Sequence, residues 1–218
     1  MHTHLVSPHF THKKLQPPFL RDVIDVFEDR VRYWLIEPAR SLLNLPAGLV
    51  PAAAMATTYF ESIEIYCSGQ DSKNRSREFF CNGFRRIFQA ERQPEEIQNA
   101  IANALYSALR CGFAHDGMPR SGINFSTSHP QTFLVTWPLK DGSFDPKGKL
   151  QSALVNPKAM IRGIDEHLTD YVRALRRGAD KQQVQNFLAA VELKWELSRP
   201  GRLVAMTEEE YFSGKSRP

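Results

Sequence analysis

Cysteine is scarce in this chain. Only Cys67, Cys81 and Cys111 occur, widely spaced and with no Cys-x-x-Cys pair. An odd, scattered set excludes a zinc ribbon and a disulfide scaffold and points to reduced thiols in a cytoplasmic protein. Long apolar runs are missing too. Nothing approaches the roughly 20 residues of a membrane-spanning helix, and the first residues lack the apolar core of a secretory leader, so no membrane partner is expected. Nor is there a large excess of one charge. Lys and Arg number 28 against 24 Asp and Glu, a net +4 that permits a polyanionic partner without requiring one. The chain carries no Gly-rich phosphate loop, His-Glu-x-x-His pair, ordered Ser/His/Asp set or Cys/His finger. No cofactor is expected.

What is present is a chain of 218 residues, 42% hydrophobic, with no Gly/Ser-rich linker through its middle. That is enough for one packed domain. Residues 1–16 carry His2, His4, His9 and His12 beside Lys13 and Lys14. They read as a His-rich tail, and the missing acidic or thiol partner argues against a metal site. The domain is expected over residues 17–198, with a polar tail over 199–218.

Helical spacing dominates that domain. Leu20, Val23, Ile24, Phe27, Val31 and Trp34 mark a first helix, which Pro38 interrupts or kinks. A second begins at Pro51, carries Met55, Tyr59, Ile63 and Tyr66, and ends near Ser68-Gly69. A third, capped by Asn74 or Ser76, has an aromatic side (Phe79, Phe80, Phe84, Phe88) and a basic one (Arg75, Arg77, Arg85, Arg86, Arg92). The fourth starts at Pro94. In it Ile97, Ile101, Leu105, Leu109 and Phe113 repeat every four residues. Asn156-Pro157 opens a fifth helix that ends at Gly178, and Asp180 opens a sixth. Between the fourth and fifth, Ile123–Thr127 and Thr132–Trp137 alternate as two strands. Ser128–Gln131 joins them as a hairpin at about 121–138. Asp141-Gly142 is a further turn. The fold class is therefore mainly α: an up-and-down bundle of about six helices with one short β-hairpin.

Arg110-Cys-Gly-Phe-Ala-His115 closes the fourth helix, and Asp116-Gly117 follows at once. A guanidinium holds a phosphate through two donors. An imidazole moves protons near neutral pH. Together they can bind and cut RNA, which carries its own 2′-hydroxyl nucleophile and needs no metal. The same residues also suit the negative end of a helix dipole, with no chemistry implied. Glu61 and Glu64 lie three apart on the second helix. One of them could pair with Arg110 if the two helices pack together, or both could form an exposed acidic strip. Arg85 and Arg86, with Arg120 beyond the motif, are candidates for RNA-backbone contact, as is the later cluster Arg173, Arg176, Arg177, although a charged helix face is ordinarily just solvated. Cys111 adjoins Arg110, which could lower its pKa; an inert thiol is the alternative.

At Leu109–Gly117 the chain resembles the HEPN family (higher eukaryotes and prokaryotes nucleotide-binding domains), whose hallmark is Arg-x(4–6)-His near the end of a bundle helix. Arg110 and His115 match it at the shortest spacing. The resemblance implies a compact helical bundle that forms a homodimer with two Arg/His motifs facing each other across a cleft. It implies RNA as ligand and, in active members, metal-independent endoribonuclease activity with Arg110 and His115 as the catalytic pair. Such members belong to toxin–antitoxin, phage-defence and RNA-processing systems, so a protein partner such as an antitoxin is also implied. The residue after the arginine is usually polar in active members. Here it is Cys111, and Asp116 is the nearby polar group that could stand in. Inactive members serve as dimerisation or partner-binding modules, the alternative reading for this chain.

Overall fold

The computed structural model describes residues 5–16, 18–89, 94–145, 147–195, 202–203 and 206–207. The fold is mainly α with a small β region, as the spacing predicts. The helices are α1 (Leu20–Val31), α2 (Glu37–Leu42), α3 (Leu49–Ser68), α4 (Ser76–Phe88), α5 (Glu95–Leu105), α6 (Pro157–Arg177) and α7 (Lys181–Trp195). Two π-helical stretches join some of these into longer rods. Arg32–Ile36 links α1 to α2, and Tyr106–Asp116 extends α5. Six rods result among the described residues.

The first rod carries through Pro38. Proline cannot donate to the carbonyl one turn earlier, and its ring crowds that carbonyl. The π stretch immediately before it is the kind of local rewinding that accommodates such a residue, so the helix does not break there.

α3 is the central helix. Ala52, Ala53, Ala56, Tyr59, Phe60 and Ile63 are all buried, and α2, α4, α6, α7 and the second π stretch pack on it. A helix apolar nearly all round belongs in an interior. α4 crosses it at Gly83, where a Cβ would lie 1.8 Å from the carbonyl oxygen of Phe60. Only glycine allows that approach. The Phe60 ring then sits among Phe80, Phe84 and Phe88, with centroids 5.1, 5.6 and 5.9 Å away in edge-to-face contact. The aromatic side of α4 is therefore core. Neither Asn74 nor Ser76 caps α4. Arg75 takes the cap position without a side-chain bond, and Asn74 instead adopts φ +63° in the preceding turn.

The β region corrects the expected hairpin. Strands β1 (Ile123–Phe125) and β2 (Phe133–Thr136) do form, but they do not pair with each other. The later strand β5 (Ser152–Val155) inserts between them, parallel to β1 (Ile123 opposite Ala153) and antiparallel to β2 (Phe133 opposite Val155). Ala153 and Val155 are buried, so the inserted strand gains more apolar burial than a bare two-strand ribbon would. Phe133 carries the sheet onto α4, 5.3 Å from Phe84 and 5.1 Å from Phe88. The tight hairpin lies further along. Strands β3 (Leu139–Lys140) and β4 (Ser143–Phe144) pair around Asp141-Gly142, which sit at φ +53° and +77° as a primed turn requires.

Residues 5–16, read from sequence as a tail, lie against α1. Leu5 bridges Thr11, His12–Leu15 form a 3-10 turn, and Leu15 is buried. His9 meets Asp29 at 2.7 Å, and Lys14 spans Asp22 and Asp25 at 2.7 and 3.1 Å. His9 thus has an acidic partner that its sequence neighbours do not supply. His2, His4 and Arg92 lie outside the described residues. Within the stretch expected as a polar tail, β6 (Arg202–Leu203) pairs with β7 (Met206–Thr207).

The anticipated helix ends hold at several points. Asn156 Oδ1 accepts from the Ala159 N–H at 3.1 Å, with Pro157 at the first helical position of α6. Asp180 Oδ1 accepts from the Gln183 N–H at the start of α7. Gly69 and Gly178 end α3 and α6 in the left-handed conformation.

Candidate functional site

Arg110 and His115 both lie on the second π stretch, Tyr106–Asp116, eleven residues long. The backbone type decides their geometry. On an α-helix a step of five residues leaves two side chains about 140° apart, on different faces. In a π-helix the hydrogen bond runs from i to i+5 and the winding is looser, which brings residue i+5 nearer to the face of residue i than an α-helix does. The rewinding therefore narrows the angle between the arginine and the histidine, although Arg110 lines the cleft described below and His115 does not. Gly117, at φ +71°, ends the stretch. Gly112 lets the chain return across it. A Cβ there would lie 2.6 Å from the Met118 carbonyl oxygen, and the Arg120 N–H donates to the Ala108 carbonyl at 3.0 Å.

Arg110 lines a cleft of about 790 Å³ together with Thr57, Thr58, Glu61, Phe113 and Lys194. Its Nη2 reaches Glu61 Oε2 at 3.5 Å, a loose contact with the guanidinium 35% exposed and the carboxylate 17%. The same guanidinium lies 6.0 Å from the centre of the Tyr106 ring, and Arg77 approaches that ring at 5.1 Å. Burial raises the Tyr106 pKa, and the neighbouring Cys111 raises it further against the pull of Arg110. His115 is exposed, five residues beyond Arg110 and outside the lining of its cleft, and makes no hydrogen bond or ion pair among the described residues.

The supporting candidates divide. Glu61 does meet Arg110, as helix packing would allow. Glu64 does not. It is 5% exposed and engages Arg86 of α4 through two oxygens. That hydrogen-bonded carboxylate raises the Arg86 pKa. An exposed acidic strip is therefore not what these two glutamates form. Asp116 pairs with Arg120 at 2.5 Å. The Arg120 bond, with a smaller contribution from His115, holds the Asp116 carboxyl below its usual range. Arg85 bonds Asn99 and Asn82. Of the later cluster, Arg173 pairs with Asp170, and Arg176 with Asp25 and Glu28. Arg85, Arg86 and Arg120 thus all have partners within the chain. Cys111 is half-buried, and all three cysteines are free thiols.

Sequence reasoning missed Thr57, Thr58, Phe113 and Lys194 as cleft residues, and it missed the π-helix. One signal for the π-helix was present. An apolar repeat of four drifts about 40° per step on an α-helix. Yet Ile97, Ile101, Leu105 and Leu109 are all buried, and Phe113 packs on the same core. A sustained repeat of four calls for a helix wound more loosely than 3.6 residues per turn.

No known protein family, no curated protein and no solved structure matches this chain. No helix among the described residues is long and apolar enough to cross a membrane.

Proposed function

We propose that this protein is a HEPN-like RNA-binding protein that cuts RNA without a metal ion, acting as a homodimer in the reducing cytoplasm. One observation supports the reading: Arg110, in a cleft, and the exposed His115 share one π-helical stretch, whose looser winding brings residues five apart nearer to one face. The three free thiols suit that compartment.

The chemistry follows from the two groups. His115 removes the proton of a ribose 2′-hydroxyl. The 2′-oxygen attacks the adjacent phosphorus, the bond to the 5′-oxygen breaks, and that oxygen leaves with a proton from a second imidazole. The products are a 2′,3′-cyclic phosphate and a 5′-hydroxyl end. Arg110 stabilises the extra negative charge on the phosphorane-like transition state, and Glu61 orients the guanidinium through its loose contact. A two-fold axis supplies the second His115, so one copy acts as base and the other as acid.

The test is incubation of pure protein with mixed RNAs in chelator. Cleavage to cyclic-phosphate ends is expected, with a loss of about 10²- to 10⁴-fold in His115→Ala and no change in melting temperature. A His115→Ala protein as active as the parent would sink the catalytic assignment. One specific observation favours a second reading, an inactive binding module: Arg110 already has an anion, Glu61, within its own subunit. RNA binding without any product under the same conditions selects that reading.

A further inference from the structure

The start and body of α4 carry Arg75, Arg77, Arg85 and Arg86. Three of them are used within the chain. Arg75 is bound by Glu78 and Gln70, Arg85 by Asn82 and Asn99, and Arg86 by Glu64. Arg77 differs. It is exposed and makes no hydrogen bond or ion pair among the described residues. Its guanidinium carbon lies 5.1 Å from the centre of the Tyr106 ring. A ring attracts a cation without taking up its N–H donors, so the Arg77 fork stays free for an anion.

Tyr106 joins two clefts. Its ring holds Arg110 at 6.0 Å, and Arg110 lines the cleft of the proposed RNA site. Tyr106 itself lines a neighbouring cleft of about 760 Å³ together with Arg77, Asn74 and Asn103. The carboxylate in that lining, Glu78, is taken up by Arg75, which leaves Arg77 without an opposing charge there. The ring is half-buried and braced by Phe80 in edge-to-face contact at 5.3 Å. Phe80 lines the Arg110 cleft in turn. A fixed ring therefore ties one guanidinium from each cleft. Stacked nucleotides advance roughly 3.4 Å each along a strand, so two cations held on one ring are spaced for phosphates a few nucleotides apart.

We propose that Arg77 holds a second phosphate of the RNA strand whose scissile phosphate lies at Arg110, the strand crossing from one cleft to the other beside Tyr106. Two in-plane donors of Arg77 take the phosphate oxygens. The inference rests on the proposed function for its ligand, RNA, and does not need cleavage to occur.

The experiment uses the full-length protein and a fluorescein-labelled, single-stranded RNA octamer with 2′-O-methyl groups, which lacks the attacking hydroxyl and cannot be cut. Binding is followed by anisotropy across a series of salt concentrations for the parent, Arg77→Ala and Arg162→Ala. The last removes the same charge from an exposed site on α6. Arg77→Ala is expected to raise Kd about threefold or more and to reduce the slope of log Kd against log salt by about 0.7, the share of one phosphate contact on a single strand. Arg162→Ala is expected to follow the parent. Arg77→Ala binding like the parent, or no worse than Arg162→Ala, overturns the proposal and leaves RNA binding standing. A parent that binds no RNA removes the RNA reading and the proposal with it.

Discussion

The two π-helical stretches of this chain differ in what surrounds their arginines. In the first, Arg32 bonds Asp165 at 2.5 Å, Glu28 at 3.2 Å and Thr169 at 3.4 Å. These partners come from α1 and α6, and Pro38 follows one residue beyond the stretch. In the second, Arg110 has one carboxylate at 3.5 Å and a cleft in front of it, and His115 has solvent. The same backbone departure thus absorbs a proline and locks helices together in one place, while in the other it carries an arginine at a cleft and an exposed histidine five residues apart. A π-helix marks strain or function, and the company its charged residues keep tells which.

Substitution at the two arginines is the strongest way to break that contrast. Arg110→Ala is expected to lower RNA cleavage by about 10²- to 10³-fold with an unchanged melting temperature. Arg32→Ala is expected to leave cleavage per folded molecule intact. Urea melts of Arg32→Ala should report a loss of about 2 kcal/mol, because Asp165 and Glu28 lose a half-buried charged partner. Equal effects of the two variants on cleavage would erase the distinction.

Acid separates the regions in another way. His167 of α6 lies against Tyr59, its Nδ1 3.1 Å from the tyrosine hydroxyl. Burial, helped by the charge on Arg86, lowers its pKa from 6.5 to about 4. Between those values the unfolded chain binds a proton that the folded one refuses, so stability falls as pH drops from about 6.5 to 4. The loss approaches about 3 kcal/mol at the acid end. His167→Gln is expected to flatten this slope in urea melts across the window and to leave the pH profile of cleavage untouched, because the titration belongs to the core and not to the Arg110 face.

Smaller effects sharpen the picture. Gly112→Ala pushes a Cβ against the Met118 carbonyl and is expected to cost about 1 kcal/mol or somewhat more in a thermal melt. Cleavage should fall with it, since the return loop helps hold the π stretch. Glu61→Gln should give the mildest change, a few-fold in kcat with little in KM. It keeps the shape beside Arg110 and removes only a loose, partly exposed ion pair.

Much of this was legible in the residues themselves. Helix starts at Asn156 and Asp180 and stops at Gly69 and Gly178 follow from local chemistry, which sequence displays directly. The Arg110/His115 spacing could be read, but its meaning depended on the helix type that carries it, and five-residue spacing on an ordinary α-helix would have separated the two. The repeat of four from Ile97 to Phe113 held that information without being used. Strand β5 was missed because its pairing is non-local: Ser152–Val155 finds partners on either side from chain segments that follow one another in sequence. Glu64 was misread for a similar reason. Its neighbour Glu61 suggested a shared surface, whereas Arg86, far along the chain, draws it into the core.

The proposed function requires Arg110 and His115 to act as one unit. The most direct measurement is RNA cleavage in chelator by the parent, Arg110→Ala, His115→Ala and the double variant. If the two groups serve one transition state, the double variant loses no more activity than the worse single variant. Losses that multiply, or singles that cut as fast as the parent, would contradict the account.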